Sequence, residues 1–254
     1  MVVAYWLLVI AYCYNQSVTD ILAGLNPAQK EAVQTISGPL LILAGPGSGK
    51  TRVITHRIAY LIKVVGISPH HIMAVTFTNK AAREMTERLN KLLGARSGDL
   101  TIGTFHAICA RILRVDGKSI GIAPGFVIYD DDDQVALIKR SLLELGLDPK
   151  QYPPKAIQVA IGAAKSRLLS PTDYRKWGKS YFDEIAQRVY ERYEKLLTQS
   201  NAVDFDDLLM KTVQLFRDHP KVLARYQERY VHVHVDEFQD TNVVQYELMK
   251  QLAG

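Results

Sequence analysis

The chain has 254 residues, enough to bury a sizeable core in one large domain or two smaller ones. Hydrophobic residues make up 48% of the sequence and charged residues 22%, a balance that excludes an intrinsically disordered chain. The formal net charge of +5 favours a polyanionic partner, although a charged surface that only confers solubility explains it as well. Cys13 and Cys109 have no metal-ligand spacing and predict no disulfide framework, so we expect a reducing, cytoplasmic setting.

The segment Met1–Tyr14 is almost wholly apolar and has no basic residue ahead of it. It is shorter than the roughly 20 residues that span a bilayer, and it lacks the positive start and clear cleavage site of a signal peptide. Three interpretations remain open: an extra helix or strand packed on the domain, a weak membrane anchor, or residues outside the folded unit. We favour the first or the last for residues 1–20, and we expect no stable membrane association.

The part of the chain up to about residue 110 alternates predicted helices with predicted buried strands. A helix begins at Pro27, with Asn26 as its cap, and continues to Ile36. The predicted strands are Pro39–Leu43, Ile72–Phe77 and Leu100–Gly103, and the helices that follow them begin near Arg52, Asn79 and Phe105. Strands alternating with helices predict an α/β fold with a parallel sheet flanked by helices.

Helical patterns dominate from about residue 111 to residue 199. The predicted helices there are Asp132–Leu145, Pro154–Leu168 and Tyr181–Leu197, with one strand at Phe126–Tyr129. Beyond them we predict helices at Asp206–Phe216, Lys221–Arg229 and Val243–Leu252, and a strand at Val231–Val235. We therefore expect a helical insertion, residues 111–199, carried by a sheet domain made of residues 21–110 and 200–254.

A glycine-rich turn between a predicted strand and a predicted helix is typical of a phosphate-binding P-loop. Glycines let several backbone N–H groups point into one concavity, to which the helix N-terminus adds its positive end. Lys50 would bring a charge to the outer phosphates, and the Thr51 hydroxyl would ligate Mg²⁺. Ala44 stands where the strict pattern has glycine, and a turn without a ligand is the alternative. The predicted nucleotide-binding residues are Ala44, Gly45, Pro46, Gly47, Ser48, Gly49, Lys50, Thr51 and Arg52.

An acidic pair, Asp236 and Glu237, closes the last predicted strand. In a P-loop enzyme, an acid at the end of a neighbouring strand holds Mg²⁺ opposite the P-loop hydroxyl. A second carboxylate beside it can orient and deprotonate the attacking water. We assign these roles to Asp236 and Glu237 respectively. The alternative is that the two acids cap the next helix, a role that Asp240 or Thr241 would fill equally well.

With these motifs together, the chain resembles the N-terminal part, domains 1A and 1B, of UvrD/Rep/PcrA-type superfamily I DNA helicases. Asp236-Glu237-Phe238-Gln239 matches the family's acidic signature, which adds Gln239 to the catalytic residues Lys50, Asp236 and Glu237. Further matching stretches, within an overall match of about residues 22–254, are Leu25–Gln29, Ala44–Thr51, Thr76–Ala82, Gly103–Ala107 and Asp204–Leu209. The resemblance implies a RecA-like ATP-binding domain that uses ATP and Mg²⁺, with Gln29 contacting the adenine edge.

The same resemblance implies a single-stranded DNA site. The residues concerned are Thr78, Asn79, Lys80, Thr104, Phe105 and His106. They lie at predicted strand-to-helix junctions, where phosphate binding is favoured. The alternatives are core packing for Phe105 and an ordinary hydrogen-bonded side chain for His106.

As implied function we expect an ATP-dependent 3′–5′ DNA helicase, a hydrolase acting in DNA repair or replication. Its partners would be single-stranded DNA, a junction with duplex DNA, and other repair or replication proteins. Because the sequence shows no second RecA-like domain, we expect this polypeptide alone to bind ATP and DNA, to hydrolyse slowly and not to unwind. The alternatives are a non-catalytic, nucleotide-dependent DNA-binding module and the motor of a helicase–nuclease complex.

Three other features have less specific interpretations. His232 and His234 lie on one face of a strand, but no third metal ligand is evident. The acidic run at residues 130–133 is better explained as a helix cap than as a cation site. A basic cluster in the predicted insertion would track DNA or form a solvated charged face; it comprises Lys165, Arg167, Arg175, Lys176 and Lys179, with Trp177.

Overall fold

A computed structural model of the protein describes residues 20–45, 47–178 and 180–254, with the side chains of Ala95 and Arg96 left out. The predicted N-terminal extension up to residue 19, Pro46 and Lys179 lie outside the described residues. The chain divides into two compact units, of which the first comprises residues 20–104 and Glu228–Phe238. The second comprises Phe105–Gln227 and Gln239–Gly254. The predicted domain limits at residues 110 and 200 stay a prediction.

Helices and strands alternate along much of the described chain. In chain order they are α1 (Pro27–Gln34), α2 (Lys50–Tyr60), β1 (Ile72–Thr76), α3 (Asn79–Leu93), β2 (Thr101–Thr104), α4 (Phe105–Asp116), β3 (Val127–Tyr129), α5 (Asp131–Glu144), α6 (Pro154–Lys165), α7 (Pro171–Trp177), α8 (Tyr181–Gln199), β4 (Ala202–Asp204), α9 (Phe205–Asp218), α10 (Pro220–Arg229), β5 (His232–Val235) and α11 (Val243–Ala253). In the part of the chain that the structure describes, no helix has both the length and the apolar character that a membrane crossing requires.

A parallel sheet forms the centre of the first unit, with strand order β2-β1-β5. In β1, Met73 pairs with Thr101 of β2 and with Val233 of β5. All five residues of β1 are buried, as expected for the central strand of a parallel sheet. Helices α2 and α3 pack their apolar faces, including Ile58 and Leu89, into the same core. The predicted α/β fold with a parallel sheet flanked by helices is confirmed.

The prediction of a strand at Pro39–Leu43 is wrong. This segment has no strand conformation, and the side chains of Leu41 and Leu43 are 66% and 86% exposed. A strand needs a neighbour that satisfies its backbone N–H and C=O groups, and this segment belongs to neither sheet. Its apolar run therefore does not become a buried strand in the described structure.

Helices dominate the second unit, whose core comes mainly from α5, α6 and α8. Tyr190 and Tyr193 of α8 are fully buried at its centre. The strands β3 and β4 form a short parallel pair in which Ile128 pairs with Val203. The helices predicted for this region are confirmed to within a few residues. The prediction missed α7 and β4, which have seven and three residues and are too short for periodicity to reveal.

Lys165 is not part of a basic surface, which corrects the predicted cluster. Its ammonium is fully buried and lies 2.7 Å from Glu194, 2.7 Å from Asp204 and 2.8 Å from Asp207. Burial opposes the charge, but the nearby carboxylates, Asp207 first, outweigh it and raise the pKa of Lys165 well above its usual value. We name Lys165 and its three carboxylates the buried ion cluster.

Candidate nucleotide-binding site

In the turn before α2, two glycines adopt a backbone conformation that favours phosphate binding. Gly47 and Gly49 have φ angles of +74° and +88°, in the left-handed region that glycine enters at no steric cost. Ser48 folds back on the turn, with Oγ 2.6 Å from the carbonyl oxygen of Gly45. Gly49 is the N-cap of α2 and provides no side-chain hydrogen bond. The first N–H groups of α2 therefore have no side-chain cap and suit an anion.

Lys50 extends over this turn. Its Nζ atom donates to the carbonyl oxygens of Ala44 and Gly45, at 3.3 Å in both cases. These weak contacts with neutral oxygens would give way to phosphate oxygens, which form stronger, charge-assisted hydrogen bonds. The turn and its lysine thus place a positive charge beside the N-terminus of α2.

The end of β5 brings Asp236 to the start of α2. The Asp236 N–H donates to the Val75 carbonyl at 3.0 Å, which extends the pairing of β5 with β1 by one residue. The Thr51 hydroxyl donates to Asp236 Oδ2 at 3.1 Å. Asp236 is buried, and this burial raises the pKa of its carboxyl, with a further contribution from the charge of Glu237. Two oxygen donors that Mg²⁺ favours are therefore adjacent.

Glu237 has a strained backbone next to Asp236. Its φ angle is +51°, in a region that non-glycine residues seldom adopt, and its N–H donates to Asp236 Oδ1 at 3.2 Å. Such strain persists only where the surrounding structure enforces it, and it is concentrated at functional sites.

The Gln29 amide links α1 to the turn. Its Nε2 atom donates to the Ser48 carbonyl at 3.0 Å, while its Oε1 atom accepts from the Asn26 N–H at 3.0 Å. Gln29 therefore lies beside the turn, as an adenine contact requires, but both ends of its amide already have protein partners. Arg52 is exposed on the first turn of α2. Its Nη2 atom lies close to Gly24, since a Cβ added to that glycine would be 3.0 Å away.

In the first unit, the predicted DNA contacts lie at the ends of β1 and β2. Thr78 is the N-cap of α3, and its hydroxyl accepts from the Ala81 N–H at 3.1 Å. Asn79 and Lys80 open that helix and are exposed. Thr104 is the last residue of β2 and is buried.

Two further predicted contacts lie in the second unit. Phe105 is 2% exposed, as the core-packing alternative expects. The His106 ring stands edge-on to the Phe205 ring, with 5.7 Å between centroids, and burial lowers the pKa of His106. Phe205 is 49% exposed and was not predicted; the signal available was its place beside Asp204 in a matching motif.

Comparison with known sequences identifies the chain's relatives. The sequence profile of the UvrD/REP helicase N-terminal domain matches residues 25–254. The chain belongs to this family.

Individual relatives agree with this assignment. The chain is 50% identical to the ATP-dependent DNA helicase PcrA of Bacillus subtilis (strain 168), over 94% of this chain and 32% of that protein. It is 50% identical to the protein of the same name from Leuconostoc citreum, over 93% of this chain and 32% of the relative. For the Staphylococcus aureus (strain Mu50 / ATCC 700699) PcrA, identity is 47% over 92% of this chain and 32% of the relative. The chain spans about a third of the length of these relatives.

Gln239, the fourth predicted catalytic residue of this UvrD/REP-family chain, belongs to the second unit. It lies in a short 3₁₀ turn, Phe238–Asp240, and its Nε2 atom is 3.5 Å from Asp240 Oδ2. The structure thus places Lys50, Thr51, Asp236 and Glu237 within one unit and Gln239 in the other.

Two of the less specific features can now be interpreted. Among the described residues there is no group of three or more potential metal ligands of the His, Cys, Asp or Glu type, so the histidine pair gains no third ligand. Burial lowers the pKa of His234 to about 3, helped by the charge of Arg57, so this imidazole is neutral. The run at residues 130–133 is confirmed as a helix cap: Asp130 accepts from the N–H groups of Asp132 and Asp133.

Proposed function

We propose that this chain is the ATP- and single-stranded-DNA-binding portion of an ATP-dependent 3′–5′ DNA helicase that acts in DNA repair or replication. The observation that carries the proposal is the hydrogen bond from Thr51 to Asp236, which joins the glycine-rich turn to the acidic end of β5. The names of the relatives, ATP-dependent DNA helicases, and the family match over residues 25–254 support it. A cytoplasmic setting, where Cys109 stays a free thiol, is part of the proposal.

The first unit provides the groups that bind a nucleoside triphosphate. The N–H groups at the start of α2 and the ammonium of Lys50 would bind the phosphates, which carry negative charge. The residues present also fit Mg²⁺, because the Thr51 hydroxyl and the Asp236 carboxylate are oxygen donors in contact with each other. When bound there, Mg²⁺ neutralises charge on the outer phosphates.

Glu237 is the group we assign to the attacking water. Its carboxylate would accept a proton from that water, while Asp236, the more buried of the two acids, serves the metal. The backbone N–H of Glu237 holds Asp236 Oδ1, so the two roles are linked through one hydrogen bond. Loss of the Glu237 carboxylate should therefore stop hydrolysis while nucleotide binding continues.

The exposed N-terminus of α3 supports the DNA part of the proposal. Thr78, Asn79 and Lys80 present a hydroxyl, an amide and an ammonium at a helix N-terminus, which is a suitable arrangement for a backbone phosphate. His106 and the exposed ring of Phe205 would add a stacking surface for a base in the second unit.

Calorimetric titration of the 254-residue chain with ATP, with and without Mg²⁺, tests the proposal. For the unmodified chain, we expect Mg²⁺ to raise ATP affinity at least about tenfold, and we expect Asp236→Asn to remove that gain, because an amide is a weaker metal ligand than a carboxylate. Affinity without Mg²⁺ should change less than about twofold. The matched control is Asp218→Asn, which changes an exposed acid outside the site. Glu237→Gln should bind Mg²⁺ and ATP normally but lose phosphate release stimulated by single-stranded DNA.

Each result has a defined meaning. If the unmodified chain does not bind ATP, the proposed function is wrong. If Asp236→Asn keeps the full Mg²⁺ effect, the metal assignment is wrong while nucleotide binding stands. DNA binding that depends on nucleotide, without any phosphate release, would instead favour a non-catalytic DNA-binding module.

A further inference from the structure

Arg57 is a buried cation that none of the motifs explains. It lies on α2 two turns after Lys50, about 10 Å further along the helix axis. Only 7% of its surface is exposed, and burial lowers the pKa of its guanidinium. Within the described part of the chain it forms no ion pair with a carboxylate. A buried charge is costly unless it is well hydrogen-bonded, so its partners show what it stabilises.

Those partners are at the C-terminal end of α1. Arg57 Nη1 donates to the Ala32 carbonyl at 2.8 Å and also to the Thr35 carbonyl. The last carbonyls of a helix have no partner inside the helix and carry its partial negative charge. Helix α1 has no basic residue in its own last turn. Arg57 therefore supplies, from α2, the positive charge that this helix end lacks.

The N-terminal end of α1 is bound to the nucleotide site. The amide of Gln29 donates to the Ser48 carbonyl in the glycine-rich turn. A Cβ added to Gly49 would lie 3.2 Å from Gln29 Nε2, so the helix and the turn are very close there. Between the two ends, Val33 packs against Val53 of α2 in a small apolar cluster. Helix α1 is thus attached to α2 and the turn preceding it at both ends and in the middle.

Helix α1 depends on these attachments because it is short. It has eight residues, and helices shorter than about 12–15 residues are marginal on their own in water. The polar attachments at the two ends are directional, whereas the apolar contacts of Val33 are not. A shift of α1 along α2 would move Gln29 relative to the glycine-rich turn.

We propose that Arg57 is a positioning residue for base recognition: by holding the C-terminal end of α1, it fixes the Gln29 amide beside the glycine-rich turn, where the nucleotide base is read. The inference rests on the proposed function, in which Gln29 contacts adenine. Arg57 lies about 10 Å beyond Lys50 along α2 and donates to the end of α1, so it should affect discrimination between bases and not phosphate binding.

Three ligands separate these effects. They are ATP, GTP and inorganic tripolyphosphate, each with Mg²⁺ and titrated calorimetrically into the full 254-residue chain. Gln29→Ala serves as the benchmark for lost base reading. We expect Arg57→Met, which keeps an unbranched apolar stem and removes the donors and the charge, to weaken ATP binding about tenfold. It should lower the ratio of ATP affinity to GTP affinity as Gln29→Ala does. The affinity for tripolyphosphate should change less than twofold.

Two further variants control for loss of stability. Thr55→Val changes a buried residue of the same helix whose hydroxyl donates only within α2, to the Arg52 carbonyl, and should leave the base preference unchanged. Arg57→Lys keeps the charge, but its side chain is shorter and its ammonium does not reach as far as the Nη1 atom that donates to both carbonyls. It should give an intermediate preference. If Arg57→Met shows no cooperative melting, the test uses Arg57→Lys instead. A preference for ATP over GTP in Arg57→Lys that equals the preference of the unmodified chain overturns the inference.

The remaining outcomes distinguish the inference from the proposed function. If the unmodified chain prefers ATP, Gln29→Ala loses that preference and Arg57→Met retains it, the inference alone is overturned. If Arg57→Met weakens tripolyphosphate as much as ATP, the residue supports the whole site, and a specific role in base reading is excluded. If the unmodified chain binds no nucleotide, or shows no preference between bases, the assigned role of Gln29 fails together with the inference.

Discussion

Lys165 determines whether three acids can remain buried in the second unit. Its ammonium contacts Glu194, Asp204 and Asp207, and Lys211 adds one more ammonium 2.9 Å from Glu194. Three carboxylates therefore face two cations. Because the carboxylates outnumber the cations, a proton on one carboxyl group is favoured. Burial together with the charge of Asp204 raises the pKa of Asp207 to about 7. The buried ion cluster connects α6, α8, β4 and α9.

Replacing Lys165 by methionine should destabilise the protein severely. The carboxylates would stay buried without their main cation, and breaking a buried ion pair in this way costs about 3–5 kcal/mol. The measurement is the free energy of unfolding from urea titration. Lys176→Met is the matched control: its side chain is 76% exposed, its distance to Asp173 is 3.9 Å, and the expected change is within about 0.5 kcal/mol. A loss below about 1 kcal/mol for Lys165→Met would contradict this account.

The burial of Lys165 was predictable from its position, though not from its residue type. Ile157, Ile161 and Lys165 follow one another at intervals of four, and all three lie on the buried face of α6. A lysine on an apolar stripe needs buried acids nearby. Glu194, Asp204 and Asp207 are distant in sequence, so spacing alone does not reveal that they converge. Residue type instead assigned Lys165 to a basic surface cluster.

At the scale of elements, two helices of this chain begin with the same capping box. In α1, Gln29 N donates to Asn26 Oδ1 at 2.9 Å and Asn26 N donates to Gln29 Oε1 at 3.0 Å. In α11, Gln245 N donates to Asn242 Oδ1 at 2.9 Å and Asn242 N donates to Gln245 Oε1 at 3.0 Å. The boxes match in residue type and geometry, but only the first contains a residue of the candidate nucleotide site.

Variants of these two capping boxes distinguish an effect on stability from an effect on nucleotide binding. Asn26→Ala and Asn242→Ala should each lower the free energy of unfolding by about 1 kcal/mol, because each removes one N-cap hydrogen bond. Only Asn26→Ala should weaken ATP binding, by about threefold, since fraying of the first turn of α1 displaces the Gln29 amide. Urea unfolding and ATP titration of both variants provide the measurements. Equal weakening of ATP binding in both variants would show that affinity simply follows global stability.

Elements that depend on local signals were predicted well from the sequence, and those that depend on a distant neighbour were not. Helix α3 was predicted with its observed bounds, Asn79–Leu93, because its cap and periodicity lie within the segment. Strand β1 was predicted because it is short, apolar and buried on both faces. The segment 39–43 has the same local character, but it has no strand partner in the described structure. A strand is completed by its neighbour, which a local pattern cannot supply.

The residues of the candidate site also fall into two groups, those that local signals predict and those that depend on a distant neighbour. The glycine-rich turn and the acidic pair have motif spacing that chemistry explains, and the structure brings Thr51 and Asp236 together. Arg57 has no motif, because its role comes from carbonyl groups, which every residue has. The engagement of Gln29 with Ser48 was equally hidden, since it depends on how α1 packs against α2. Sequence thus indicated the groups that would touch a ligand and missed those that position them.

At the scale of the whole molecule, the net charge of +5 should make DNA binding sensitive to salt. Each cation that contacts a phosphate of single-stranded DNA releases bound counterions, which contributes about 0.7 to the slope of log affinity against log salt concentration. Lys80, exposed at the N-terminus of α3, is the cation that we place on a phosphate. Lys150 is also exposed, in the loop between α5 and α6, and has no assigned role.

Lys80→Gln should therefore weaken binding of an oligonucleotide at low salt and reduce that slope by about 0.7, whereas Lys150→Gln should leave the slope unchanged. Both variants lower the net charge equally, so a difference between them isolates a local phosphate contact from general attraction. Fluorescence anisotropy with a labelled single strand at several salt concentrations gives the slopes. If the two variants reduce the slope equally, the charge surplus acts only as a diffuse field, and the N-terminus of α3 is not a DNA contact.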